Sequence, residues 1–241
     1  MAWTFVNTTN VPVNIGLYNA GILYQWKNKV QPYSSATARA LPAKEVEAND
    51  WPGLTLLKDD QGRVLEPIVG DGGCAVSFAT AGIGYDIAIL FDVPGSELDK
   101  SQNWKRITEI VGITIGAIVG AVGVALLWVP VAGEMITIAG FEIAAGAIAT
   151  TGVASTTVGT VLTLGDIALG IADIAMSPSK FIDWSGGKDY SLLIKGGFEY
   201  NQTADGKPPA DGKIHITGVT PITLKWTNVD TNESGTSKPD W

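Results

Sequence analysis

The chain has one cysteine, one histidine and three arginines in 241 residues. A single cysteine excludes an intramolecular disulfide framework. Cys74 sits in Gly-Gly-Cys-Ala-Val-Ser-Phe with no basic neighbour to lower its pKa, so it reads as a packed strand residue and not as a reactive thiol. A single histidine excludes a histidine-based metal cluster or triad, and His215 falls in the alternating run Lys213-Ile214-His215-Ile216 as a solvent-facing strand residue. Arg39, Arg63 and Arg106 form no basic cluster, and the formal net charge is −8. That balance excludes a nucleic-acid partner and leaves no electrostatic anchor for anionic lipid. No phosphate loop is present, and the glycines at 82 and 84 lead into a strand, not a helix. Asp59-Asp60, Asp205-Gly206 and Asp211-Gly212 read as turns. The expectation is a protein with no catalytic residues, no cofactor and no metal site, and not an enzyme.

Charge is scarcest in the middle. Between Glu109 and Asp166 run 56 residues whose only charges are Glu134 and Glu142. Ile110 to Gly133 and Ile143 to Gly165 are each charge-free and exceed the roughly 20 residues that cross a bilayer as a helix. Gly112, Gly116 and Gly120 recur every fourth position, which predicts a helix face that lets two backbones approach closely. Pro130, Glu134 and Glu142 fall between the two runs and predict the turn of a helical hairpin. Nine threonines and serines dilute the segment, and positive flanking charge is limited to Lys105 and Arg106. Both features argue against a constitutive membrane anchor. Trp104, Trp128 and Trp184 bracket or end the apolar runs and are candidates for a membrane–water boundary.

The two chain ends have β character. In residues 1–94, Val13, Ile15 and Leu17 alternate with Asn14, Gly16 and Tyr18, as a half-buried strand requires. Leu54 to Lys58 and Val64 to Val69 flank Asp59-Asp60-Gln61-Gly62, a hairpin in which Gly62 supplies a positive φ. Residues 95–178 read as the helical region, opened by Ser96 with Glu97 and Asp99 and closed by Ser177-Pro178. Residues 188–230 return to strands that complete the first region, and residues 231–241 read as a flexible tail. The expected class is therefore α+β: an antiparallel β-sandwich-like domain from both ends, with a long apolar α-helical hairpin or bundle inserted between them. Met-Ala-Trp-Thr-Phe-Val lacks the basic and apolar regions of a secretory signal, which predicts cytoplasmic synthesis, membrane association only on activation, and idle sequons at Asn7, Asn201 and Asn232.

Phe5-Val6-Asn7-Thr8-Thr9, then Val13-Asn14-Ile15, Gly21-Ile22-Leu23-Tyr24 and Val30-Gln31-Pro32, with Pro208-Pro209-Ala210-Asp211-Gly212 near the end, resemble a poorly characterised group of fungal and bacterial proteins. The resemblance implies β-rich ends around a central Gly/Ala-rich apolar stretch. It implies no activity and no functional residues.

Three functions fit. The first is a membrane-active, pore-forming protein that inserts the apolar hairpin after oligomerisation, with protonation of Glu134 and Glu142 easing entry. The second is a self-assembling structural or storage protein whose apolar segment is a permanent homo-oligomeric interface. The third is a carbohydrate- or protein-binding β-module using Tyr24, Trp26, Tyr33 and Trp51. The expected partners are a second copy of the chain and a lipid membrane.

Overall fold

Residues 1–42, 51–92, 97–100, 126–131, 134–139, 142–143, 179–200 and 215–240 are described by the structure, a computed structural model. The strands in chain order are β1 (Ala2–Asn7), β2 (Val13–Asn19), β3 (Ile22–Val30), β4 (Ala38–Ala40), β5 (Leu57–Lys58), β6 (Val64–Pro67), β7 (Ala75–Ala79) and β8 (Gly84–Phe91). They continue with β9 (Leu126–Val131), β10 (Glu134–Ala139), β11 (Glu142–Ile143), β12 (Ser179–Ser185), β13 (Tyr190–Tyr200), β14 (His215–Asn228) and β15 (Ser234–Ser237). A 3-10 turn at Ser35–Thr37 is the one helical element among the described residues.

Alternation along these strands builds two sheets around one core. The first runs β14-β13-β1-β7, with β11 and β15 added at separate places along β14. The second runs β12-β8-β2-β3. Trp3, Phe5, Val76, Phe78, Leu192 and Leu224 from the first sheet meet Ile15, Leu17, Ile87, Ile89, Phe91 and Phe181 from the second in a shared buried cluster. Burying a side chain of this size stabilises by about 1.5–3 kcal/mol, so this layer dominates the fold. The outer faces are covered too. Tyr33, Trp51 and Leu54 lie over Val6, Ala75 and Leu193, and Leu98 lies among Tyr18, Leu23, Ala88 and Leu90. Covering both faces explains why β2 is buried along nearly its whole length and why β8 ends in the apolar run Ile87–Phe91. The β4-β6-β5 sheet is a small annexe, and Gly62 has the positive φ (75°) foreseen for its hairpin.

The structure overturns the expected fold class in two respects. No α-helix occurs among the described residues, and the part of the central segment that is described is strand. β9 and β10 pair antiparallel, Glu134 opposite Val131 and Ile136 opposite Val129, and β10 runs beside the 3-10 turn. The physical reason lies in Val129, Val131, Ile136, Thr137 and Ile138, whose branched Cβ atoms disfavour helix and suit strand. Pro130 would cost about 3 kcal/mol inside a helix. Pro130, Glu134 and Glu142 are thus strand residues, not a turn between helices. Likewise Glu97–Lys100, expected as a helix start, is non-helical. The first sheet is also mixed rather than antiparallel: β1 runs parallel to β13, with Trp3 opposite Tyr190.

Two smaller differences concern the C-terminal part. Thr220-Pro221, expected between two strands, lies inside β14. Pro221 is tolerated there because the register of β13 shifts between Lys195 and Gly197, leaving it at a bulge. Gly196 is required at this crossing: its φ is +116°, and a Cβ would come within 2.7 Å of the Pro221 carbonyl oxygen. The tail, expected to be flexible, forms β15 against β14, and the Asp240 N–H then donates to the Lys180 carbonyl at 2.7 Å. It therefore clasps the β14 side of one sheet to the β12 edge of the other.

Asn7 ties the layers together at the opposite end from the β2–β3 turn. It is fully buried, and its Nδ2 donates to the carbonyls of Val11 and Val30, each at 2.8 Å. Its Oδ1 accepts from the Thr9 N–H (3.0 Å) and hydroxyl (2.7 Å). Both amide hydrogens are engaged and the side chain is inaccessible, so this sequon cannot be glycosylated in the folded protein. Asn7→Leu removes the side-chain partner of the Thr9 N–H and of the Val30 carbonyl, while the Thr9 hydroxyl and the Val11 carbonyl still bond each other at 2.8 Å; each unsatisfied group costs about 1–3 kcal/mol. Urea denaturation of this variant should show a loss of about 3 kcal/mol or more with an unchanged m-value.

Candidate functional site

The most distinctive place in the fold is where the chain leaves for the apolar segment and where it returns. It leaves after β8 and returns as β12, and these two strands are antiparallel neighbours: Ile89 stands opposite Ser179 and Ile87 opposite Phe181. The two ends of the excursion are therefore held side by side. At the returning end, Phe181 is buried in the main core and the ladder to β8 continues to Ser185.

The departing end is held differently. Asp92 follows β8, and its N–H donates to the Pro12 carbonyl at 2.8 Å. Its carboxylate accepts from Asn14 Nδ2 at 3.2 Å. Asn14 Oδ1 in turn accepts the Lys29 N–H at 2.9 Å, at a bulge where Lys29 takes φ +58°. A non-glycine residue in this left-handed region is strained by about 1 kcal/mol or more. Residues 97–100 then lie over the outer face of the second sheet. Asn28 grips Leu98 at two points: its Oδ1 accepts the Leu98 N–H and its Nδ2 donates to the Leu98 carbonyl, each at 2.9 Å. The Leu98 side chain is 3% exposed. It sits over Gly16, where a Cβ would lie 2.9 Å from Leu98 Cδ1. Glu97 pairs with Lys29 at 2.6 Å, both more than half exposed.

The electrostatics follow from these contacts. Burial pushes the Asp92 carboxyl above the usual carboxylate range, against the hydrogen bond from Asn14 and the charge of Lys29. The hydrogen bond and charge of Glu97, with Asp92 beyond, hold the Lys29 ammonium above its ordinary value. Burial and then the nearby Asp99 charge raise the Tyr18 phenol.

The site residues expected from sequence are scattered. Gly112, Gly116, Gly120 and Trp104 lie outside the described residues. Trp128 stands opposite Thr137 in the β9–β10 ribbon, and Glu142 opposite His215 in the β11–β14 pair. Trp184 is half-buried in an edge-to-face cluster with Trp3 (6.0 Å), Tyr190 (5.3 Å) and Trp226 (6.4 Å), a packing position within the two-sheet body. Cys74 is buried, donates to the Thr37 carbonyl at 3.1 Å, and has its thiol pKa pushed up by burial. Asn28, Gly16, Leu98 and Asp92 escaped sequence reading. The one local signal was a glycine in the middle of a strand at position 16.

Among the described residues no group of three or more His, Cys, Asp or Glu could hold a metal, and no helix is long and apolar enough to cross a membrane. The chain matches no protein-family model, no curated protein and no solved structure.

Asp92 carries a pH signature. Its folded pKa is raised, so the folded chain binds this proton more readily than the unfolded one, and stability falls as pH rises from the ordinary carboxylate value through the folded value. Asp92→Asn keeps the acceptor for Asn14 and removes the charge. Its stability relative to wild type should therefore increase with pH across that window and level off above it. Urea titrations between pH 3 and 8 check this, and a gap that is constant with pH contradicts it.

Proposed function

We propose that this is a membrane-active protein that meets the bilayer through its nearly charge-free central segment, after association of several copies, and permeabilises it. One observation carries the reading. The segment is inserted between two paired neighbouring strands, so the two-sheet body closes on either side of it. Such a body can hold an apolar segment that gives its main sheets only the two-residue edge strand β11, among the described residues. The segment would act as strand, not helix. β9 and β10 are six residues each, against about 9–11 for a strand that spans a bilayer. In the form described they reach only part of the way across, and full insertion would require the ribbon to lengthen. The absence of a basic cluster favours neutral over anionic lipid.

Self-assembly in water is the second reading. It is favoured by the ribbon pairing with no third strand among the described residues, since an isolated two-stranded ribbon is marginal in water. Pro130 stands opposite Met135, one pair in from Val131–Glu134. In a two-residue hairpin that pair turns its N–H groups outward. The missing N–H leaves the ribbon intact and blunts the β9 edge, so a second copy would add along β10. The binding-module reading has less support, because its aromatics sit apart. Tyr24 packs at a tilt beside Tyr85, Trp26 lies with the Leu98 cluster, and Tyr33 and Trp51 cover the first sheet.

The test is dye release from zwitterionic vesicles at pH 4 to 7, with light scattering on the same samples. Release is expected, and Ile136→Lys should reduce it by more than about tenfold, because a lysine facing mid-bilayer lipid costs about 2–4 kcal/mol. No release and no vesicle binding at any pH would refute the membrane reading. A stable homo-oligomer indifferent to lipid would favour the second, and Met135→Pro should then lower its order.

A further inference from the structure

Four aromatic rings gather between the two sheets where β12, β13 and β14 come together. Trp3 is fully buried. Trp184, Tyr190 and Trp226 pack against the core and are each only half-buried. Those three meet one another close to right angles. The interplanar angle is 80° for Trp184–Tyr190, 84° for Trp184–Trp226 and 84° for Tyr190–Trp226, with ring centroids 5.3, 6.4 and 6.1 Å apart. A single T-shaped pair is ordinary aromatic packing. Three partly exposed rings, each perpendicular to the other two, can stand as the walls of one corner. With centroids about 6 Å apart, the centre of such a corner lies roughly 4 Å from every ring, inside the roughly 6 Å over which an aromatic face attracts a cation. Trp3, 6.0 Å from Trp184 and 6.2 Å from Tyr190, backs two of the walls on the core side.

The walls are fixed by the backbone that carries them. Trp184 stands opposite Tyr85 in the β12–β8 ladder. Tyr190 opens β13 between Trp3 of β1 and Asn228 of β14. The turn before it is pinned to β1: Asp189 Oδ1 accepts the Ala2 N–H at 2.5 Å, and the Lys188 carbonyl accepts the Trp3 indole N–H at 3.2 Å. Trp226 stands opposite Gly235 of β15, where a Cβ would come 2.8 Å from Trp226 Cζ2, so the indole lies directly on the β15 backbone. A site whose walls are set before binding loses little in ordering them. Among the described residues the two indole N–H groups and the Tyr190 hydroxyl have no hydrogen-bond partner, and none of them is sealed from solvent. They remain for a phosphate or ester oxygen.

The chemistry of the corner selects its occupant. Aromatic faces attract a cation without offering an acceptor for N–H groups. That suits a quaternary ammonium, which is large and has no N–H to donate. We propose that Trp184, Tyr190 and Trp226 form a cage for a quaternary ammonium group, supplied by the choline headgroup of a zwitterionic lipid. The lipid source rests on the membrane reading above and names the lipid. The lack of a basic cluster already turns this chain away from anionic surfaces. A choline site on the two-sheet body holds that body at the bilayer surface while the apolar segment engages.

Titration of the full chain with phosphocholine, read by tryptophan fluorescence, tests the cage apart from any membrane. A saturable change is expected. The uncharged analogue of choline, with a tert-butyl group in place of trimethylammonium, should give none, and this comparison needs no variant. Trp226→Leu should weaken phosphocholine binding by about tenfold or more, whereas Tyr190→Phe, which keeps the ring, should change it little. Near-ultraviolet circular dichroism checks that each variant is folded. No saturable response to phosphocholine, or an equal response to the uncharged analogue, overturns the cage. For the source, phosphatidylcholine vesicles should bind the chain, with free phosphocholine competing. Bilayers of phosphatidylethanolamine and phosphatidylglycerol should bind about tenfold less or weaker still. Phosphocholine binding without binding to phosphatidylcholine vesicles overturns the lipid source, as does a trimethyl-lysine peptide that binds more tightly than phosphocholine. Vesicle binding and dye release that ignore both the headgroup and Trp226→Leu overturn the cage and leave the membrane reading standing.

Discussion

The antiparallel pairing of β8 with β12 brings Ile89 beside Ser179 across the whole apolar segment, and the rest of the molecule is organised by it. Without β12 the second sheet would lose Phe181 from the core and the strand that receives the C-terminal tail. The long excursion is thermodynamically tolerable, since each doubling of loop length adds only about 0.6 kcal/mol to the cost of closure. What makes it unusual is its composition. A segment with two charges in 56 residues cannot be left in water at no cost, and the fold keeps both its ends at one place.

That arrangement separates two jobs. The interlocked aromatics Trp3, Trp184, Tyr190 and Trp226 and the aliphatic layer between the sheets provide stability. The root at Asp92 and Leu98 spends some of it: a carboxylate is half-buried, and a lysine is held at positive φ. The sign of the Asp92 effect matters for triggering. Protonation there favours the folded root, so acid acting through Asp92 would tighten this end of the segment, whereas protonation of Glu134 and Glu142 was expected to ease entry into lipid.

Much of the β-body was legible because its signals are local. The core-facing side made by Val13, Ile15 and Leu17, the turn at Asp59 to Gly62 and the packed setting of Cys74 all survive in the structure, although β2 is buried on both faces and not half-buried as its alternation suggested. The described part of the central segment was misread because length and lack of charge were weighed above residue shape. Val129, Val131, Ile136 and Ile138 are strand formers, and Pro130 fits a hairpin edge better than a helix interior. β12 was hidden behind Ser177-Pro178, and β15 is a polar run, Ser234-Gly235-Thr236-Ser237, with no apolar alternation to mark it although its partner β14 immediately precedes it. The grip of Asn28 on Leu98 was invisible because the two are 70 positions apart, and nothing local marks an asparagine that bonds a distant backbone.

The central claim is that the two-sheet body stands by itself and carries the apolar segment as a separable part. Replacing residues 101–177 with a flexible Gly/Ser linker tests it most directly, read by the near-ultraviolet circular dichroism of the tryptophan cluster during urea unfolding and by dye release from the same vesicles. The account predicts a cooperative transition with the aromatic signal retained and no dye release. A chain that fails to fold, or one that folds and still releases dye, would contradict it.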